Sequence, residues 1–177
     1  MKPAIALAIR PAAEDDLEAI LRIYNDAIRD TVATWDEQPW TMEQRRDWWD
    51  QHDGTQPILV AEVEGVVAGF AYLTRMSPKS GWRFTREDTI YLDPAFHGQG
   101  IGRELLTALL ERARELGLRL IVASITSTNE ASLALHASLG FEVVGTLRNA
   151  GYKFNQWHST TEMQIDLALE PNGSNTR

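Results

Sequence analysis

A chain of 177 residues, 44% of them hydrophobic, can bury one core of ordinary size but is short for two. One domain over residues 1–169 is therefore expected, with EPNGSNTR at 170–177 as a flexible tail. A formal charge of −8 removes the basic footprint of a general nucleic-acid binder, and the lack of cysteine excludes disulfides, thiolate metal sites and cysteine nucleophiles.

The opening MKPAIALAIRPAAEDD has no long apolar segment, and Arg10 with the acids at 14–16 interrupts any likeness to a signal peptide. Cytoplasm is the expected compartment. No apolar run reaches spanning length, so no membrane partner is expected.

In chain order, Ala4 to Ile9 reads as a first strand, and Pro11 with Glu14, Asp15 and Asp16 as a helix start, acids lying at the positive end of the dipole. Leu17, Ile20, Leu21, Tyr24, Ala27 and Ile28 then share one helical face. Thr41 to Gln44 has the form of a capping box for a second helix that ends near Gln51. Two β-branched and aromatic runs, from Pro57 to Val63 and from Val66 to Leu73, are joined at Glu64-Gly65 as a hairpin. A loop from Thr74 to Thr85 leads to a strand over Asp88–Leu92, stopped at Asp93-Pro94. Leu105, Leu106, Leu109, Leu110 and Ala113 mark an amphipathic helix capped at Gly117. A buried strand over Leu118–Ile125, a short helix over Glu130–Leu139 and strands over Phe141–Leu147 and Thr161–Leu169 complete the chain. This order implies an α+β layer with a mixed sheet.

The stretch from Tyr91 to Leu106 passes from strand through a glycine-rich turn into helix. Gly98, Gly100 and Gly102 let backbone N–H groups converge, and the helix start adds partial positive charge, a combination suited to a pyrophosphate. The spacing is G-x-G-x-G and the next strand ends in Ser124-Ile125-Thr126 without an acid for a ribose, so a nicotinamide dinucleotide is disfavoured. A triphosphate loop would need G-K-[ST], which does not occur. H-E-x-x-H and G-x-S-x-G are also absent, so neither a metal enzyme nor a serine hydrolase finds support.

His97-Gly98-Gln99-Gly100-Ile101-Gly102 resembles the [Q/R]-x-x-G-x-[G/A] acetyl-CoA motif of the GNAT N-acetyltransferases, with His97 where Gln or Arg is usual. The segment from Asn129 through Ser132 and His136 to Gly140-Phe141 resembles that superfamily's second signature. The likeness implies a GNAT-like, mixed but mostly antiparallel sheet flanked by helices. It also implies acetyl-CoA as co-substrate with no metal, its pyrophosphate on the backbone of residues 98–103 from Gly98 to Arg103, and its pantetheine near Asn129 and Ser132. Taken alone, Asn129 reads as a helix cap and His136 as a packed core residue.

Tyr24-Asn25-Asp26, Thr34-Trp35, Arg83-Phe84-Thr85-Arg86-Glu87 and Lys153-Phe154 are similar to the phosphinothricin and methionine sulfoximine acetyltransferase branch. Members of that branch act on the α-amine of small amino-acid-like molecules and are commonly dimers, so a small-molecule amine and a homodimer are the expected partners. The resemblance implies Glu87 as the acid that relieves the α-ammonium of its proton, directly or through water. By itself Glu87 reads as a solvated acid at a strand edge beside Asp88. An oxyanion would be met by backbone N–H at Ile90, Tyr91 or Leu92, and His136 could protonate the departing thiolate. A substrate carboxylate needs a cation; Arg83 is the first choice, with Arg75 and Lys153 as helpers, and each could equally be a surface charge. Thr85 precedes the acid in the shared segment, and Trp35, Trp82 and Phe154 could wall the pocket or fill core. The alternatives are a peptide or protein N-acetyltransferase and a non-catalytic acetyl-CoA binder of the same fold.

Overall fold

The computed structural model describes residues 6–168. Strand β1 (Leu7–Pro11) is followed by a 3-10 turn at Glu14–Asp16 and helices α1 (Leu17–Asp30) and α2 (Met42–Asp50). The chain continues through β2 (Ile58–Val63), β3 (Val66–Arg75), β4 (Thr85–Leu92), α3 (Ile101–Glu115), β5 (Leu120–Thr126), α4 (Glu130–Ser138), β6 (Glu142–Lys153) and β7 (Gln156–Asp166). The strands form one sheet in the order β1-β2-β3-β4-β5-β7-β6. Every neighbouring pair is antiparallel except β4 with β5.

Helical periodicity decides what covers each face. Leu17, Ile20, Ile23, Tyr24 and Ile28 of α1 are buried, and the last four pack with Trp48 of α2 on Val60, Phe70 and Tyr91. On the opposite face Ile101, Leu105, Leu106, Leu109, Leu110 and Ala113 of α3 pack on Leu59, Ala61, Leu73, Ile121 and Ala123. Each fully buried leucine there contributes about 1.5–3 kcal/mol.

Thr41 accepts from Gln44 N at 3.3 Å and Gln44 Oε1 accepts from Thr41 N at 2.8 Å, closing the expected capping box. Glu64 and Gly65 both take positive φ, 50° and 82°, in the β2–β3 turn. Several boundaries differ from the sequence expectation, among them the start of β7, which lies at Gln156 rather than Thr161. The first strand runs from Leu7 to Pro11, and the part expected at 4 and 5 lies outside the described residues, as do position 169 and the proposed tail. β4 begins at Thr85, because its first three residues pair with β5 although all three carry polar side chains. β6 continues to Lys153 and turns at Phe154-Asn155, both left-handed at 50° and 59°. With no glycine in that turn, the hairpin had no sequence signal.

Candidate active site

β4 and β5 pair only at Thr85↔Leu120, Arg86↔Ile121 and Glu87↔Val122. Beyond Glu87 the two strands splay, while β4 stays paired to β3 as far as Leu92 and β5 to β7 as far as Thr126. Alternate backbone groups of residues 88–92 therefore face a gap rather than a neighbouring strand. Period-two alternation sends Glu87, Thr89 and Tyr91 toward the α1–α2 face and Asp88, Ile90 and Leu92 toward α3 and α4.

Three connected cavities meet along this strand. A cleft of about 660 Å³ lies between the C-terminal half of α1, the turn at His97-Gly98 and α4. A cavity of about 250 Å³ fills the gap between the splayed strands and shares Ile90, Tyr91, Asn129 and Ser132 with the cleft. A third, of about 620 Å³, lies under α2 and shares Glu87 and Thr89 with the gap. Glu87 thus stands where the third cavity opens into the gap.

The Glu87 carboxyl is half-buried and its pKa is raised, first by burial and then by the charges of Glu162 and Asp88. Glu162 is itself held by Ser124 Oγ, which donates to its Oε1 at 2.8 Å. A carboxylate in this setting binds a proton more readily than one in water, which suits a general base.

The glycine turn has the geometry that an anion needs. Gly98 and Gly100 adopt φ of 71° and 83°, and a Cβ on either would meet open space, the direction from which a phosphate would approach. Gly100 is the N-cap of α3. Gly102 serves packing instead: a Cβ there would lie 3.1 Å from Leu92 Cδ1 and 3.4 Å from Leu135 Cδ2.

Residues 20–141 match the model of the acetyltransferase (GNAT) family. The chain belongs to the GNAT acetyltransferase family. Among its relatives is the L-methionine sulfoximine/L-methionine sulfone acetyltransferase of Pseudomonas aeruginosa, 42% identical over 92% of this chain and 96% of that protein. Among solved structures are a GNAT superfamily phosphinothricin acetyltransferase of Sinorhizobium meliloti in complex with acetyl-CoA and a ribosomal-protein-alanine N-acetyltransferase of Brucella melitensis. The first has TM-score 0.88 and 35% identity over 94% of this chain and 93% of that one. The second has TM-score 0.87 and 42% identity over 90% of this chain and 99% of that one. As a GNAT acetyltransferase the chain is an enzyme that takes its acyl group from acetyl-CoA.

Of the residues expected at the donor, Ile90, Tyr91, Leu92, His97, Gly98, Asn129 and Ser132 line the large cleft. Gln99 instead holds the turn, its Nε2 donating to Ala95 O at 3.2 Å, and Ile101 is buried beneath it. Arg103 reaches Ser138 Oγ at 2.8 Å on α4. Asn129 caps α4, its Oδ1 accepting from Ser132 N.

His136 is 2% exposed and both ring nitrogens are engaged: Nδ1 lies 2.7 Å from Ser132 O and Nε2 3.0 Å from Asp88 Oδ2. Burial opposes its charge, yet the hydrogen bond and charge of Asp88 outweigh that and its pKa is raised.

The structure redistributes the residues expected at the acceptor. Trp35 lines the gap and donates from Nε1 to Thr126 Oγ1 at 3.1 Å, with its indole seated on Gly151. Lys153 is buried and donates to Thr31 O and Thr34 O at 2.8 and 2.7 Å, strapping the α1–α2 loop rather than facing a cavity. Phe154 lines the large cleft. Arg75 lines the α2 cavity and pairs with Asp53 at 2.8 Å. Arg83 lines none of the three cavities; its exposed guanidinium lies over the Phe84 ring. Thr85 and the exposed Trp82 also stand outside them. Sequence reasoning missed the α2 side altogether, where Arg45 and His52 line the third cavity. The available signal was Trp48 at three residues from Arg45, one helical face.

Proposed function

We propose that this enzyme acetylates the α-amine of a small amino-acid-like acceptor of the methionine sulfoximine, methionine sulfone or phosphinothricin type, by direct transfer from acetyl-CoA, with Glu87 as general base. The observation that carries this is the position of Glu87, where the α2 cavity meets the gap between β4 and β5. The relatives' substrates agree with an acceptor cavity walled by Tyr24, Trp40, Trp48 and Tyr72.

In this scheme the acceptor enters under α2 and its ammonium gives a proton to Glu87, directly or through one water. The amine nitrogen then forms a bond to the thioester carbonyl carbon, and the resulting oxyanion is met by backbone N–H groups at Ile90–Leu92 that face the gap. The C–S bond breaks as the carbonyl reforms, the second proton of the attacking nitrogen passes to the thiolate or to water, and CoA leaves as the thiol. A thiol pKa of about 8.5 makes that departure easy. His136 holds Asp88 to α4, and its protons are committed there.

We also propose a cytoplasmic homodimer. β6 is an edge strand paired only with β7, and Val143, Val144, Leu147, Tyr152 and Trp157 on this hairpin are 48–64% exposed. An apolar set of that extent on one arm suits burial against a second copy. Light scattering that gives a monomer mass at working concentration would contradict it.

The experiment for the activity is CoA release with methionine sulfoximine, methionine sulfone, phosphinothricin and ordinary amino acids. A second reading, acetylation of a protein N-terminus, is favoured by the likeness to the ribosomal-protein-alanine enzyme. Alanine-start peptides belong in the same panel; higher kcat/KM on them than on any amino acid would transfer the assignment.

A further inference from the structure

Among the described residues, the buried side-chain nitrogens and oxygens without a hydrogen-bond partner belong to Arg45, His52 and Asp88. Arg45 and His52 line the α2 cavity that ends at Glu87, and Asp88 lines the gap on the other side of Glu87. Unpartnered buried polar atoms are uncommon and costly in folded proteins, and two such groups, Arg45 and His52, on the wall of one cavity point to a ligand that completes them.

Arg45 is the strongest of these groups. It is 1% exposed, and its guanidinium carbon lies 4.7, 4.5 and 4.6 Å from the ring centres of Tyr24, Trp40 and Trp48. The rings surround the guanidinium and offer it no acceptor, and Nε and Nη2 are left unbonded. Among the described residues no carboxylate forms an ion pair with it. Asp36, which could, accepts instead from Tyr24 Oη and Trp40 Nε1, both at 2.7 Å. An apolar side chain of similar volume would pack among these rings without the desolvation cost, so packing alone does not call for a cation.

His52 adds a second, independent indication. Its Nδ1 lies 2.7 Å from Trp48 O, a carbonyl that can only accept, so Nδ1 carries the proton and Nε2 is left without a partner. The ring is fixed between Trp48 and Tyr72 at centroid distances of 4.4 and 5.5 Å. Arg45 and His52 come from α2 and the turn after it, and both line the cavity that ends at Glu87.

We propose that Arg45, not Arg83, holds an oxo group of the acceptor inside the α2 cavity, with its edge donating to that oxygen while the amine faces Glu87. This rests on the acetyltransferase reading above. The oxygen could belong to the α-carboxylate or to a side-chain sulfonyl or phosphinyl group, and both present the same accepting chemistry to a guanidinium.

The test measures kcat and KM of the wild-type chain, Arg45→Gln, Arg45→Lys and Arg83→Ala at saturating acetyl-CoA. The acceptors are methionine sulfone, its carboxamide, and norleucine, which lacks the sulfonyl. Arg45→Gln is expected to lose about tenfold or more in kcat/KM on methionine sulfone, mainly through KM. If the loss disappears on the carboxamide, the carboxylate is the group held; if it disappears on norleucine, the sulfonyl is. Equal loss on all three, no loss, or a selective loss confined to Arg83→Ala overturns the proposal. In the unmutated protein, the side-chain Nε–H resonance of Arg45, displaced by its surrounding rings, is expected to shift on titration with methionine sulfone. A fixed resonance at saturation overturns the proposal however the variants fold. A wild-type enzyme that acetylates none of the three acceptors would instead fail the functional reading, which is a separate outcome.

Discussion

His136 Nε2 lies 3.0 Å from Asp88 Oδ2, and this buried pair joins α4 to the strand that carries Glu87. With Nδ1 facing the Ser132 carbonyl, only the doubly protonated ring can donate in both directions; a neutral ring gives up one of the two bonds. That is why its pKa is raised despite burial. A folded pKa above the unfolded value stabilises the fold below about pH 6.5, the unfolded histidine value, and the contribution is lost as pH rises through the folded pKa. His136→Gln should therefore cost the most on the acid side of neutrality, on the order of 3–5 kcal/mol, and less at pH 9. Urea unfolding at pH 6 and pH 9 checks this; an equal cost at both would contradict it.

Gly100 takes φ of 83° at the start of α3 with open space on its Cβ side. Gly100→Val should raise the KM for acetyl-CoA strongly, since a branched side chain would intrude where the phosphate approaches, and should cost about 1–2 kcal/mol of stability from the left-handed backbone. Acetyl-CoA titration of the folded variant checks it.

A Cβ on Gly151 would fall 2.1 Å from Trp35 Cε3, inside the indole. Trp35 and Lys153 together hold the α1–α2 loop onto β5 and the last hairpin, through Thr126 Oγ1 and the carbonyls of Thr31 and Thr34. Gly151→Ala should displace that loop and lower kcat/KM for the acceptor about tenfold or more, because small displacements of reacting groups are costly. Steady-state kinetics with methionine sulfone would show it, and unaltered kinetics would mean that the loop does not shape the gap.

The helices and the glycine turn were legible because local rules govern them. The Thr41–Gln44 box, the α3 leucines and the glycines at 98 and 100 each announce themselves within a few residues. The α2 cavity, where we propose that the acceptor binds, was not legible, since its geometry comes from long-range packing. Arg83 stands four residues before Glu87 in sequence, yet the chain turns through Ser80–Trp82 and leaves it exposed, while Arg45 arrives from α2. Lys153 looked like a surface cation because nothing local reveals carbonyls contributed from more than a hundred residues earlier.

Glu87 pays for its position in stability. Its raised pKa means that its charged form is the less favoured one in the fold, so Glu87→Gln should be more stable than the wild type at neutral pH. The gain should vanish below about pH 4, where the unfolded carboxyl is also protonated. Thermal unfolding across pH checks it, with about 2–4 °C expected for each kcal/mol relieved.

The most direct measurement is the pH profile of kcat/KM for methionine sulfone in the wild type and in Glu87→Gln, with acetyl-CoA affinity measured alongside. The wild type should show an ascending limb above the ordinary carboxylate range, because burial and Glu162 hold the proton on Glu87. The variant should lose about a hundredfold or more in rate together with that limb, while binding acetyl-CoA as before. Wild-type rates in Glu87→Gln across the pH range would contradict the role given to Glu87.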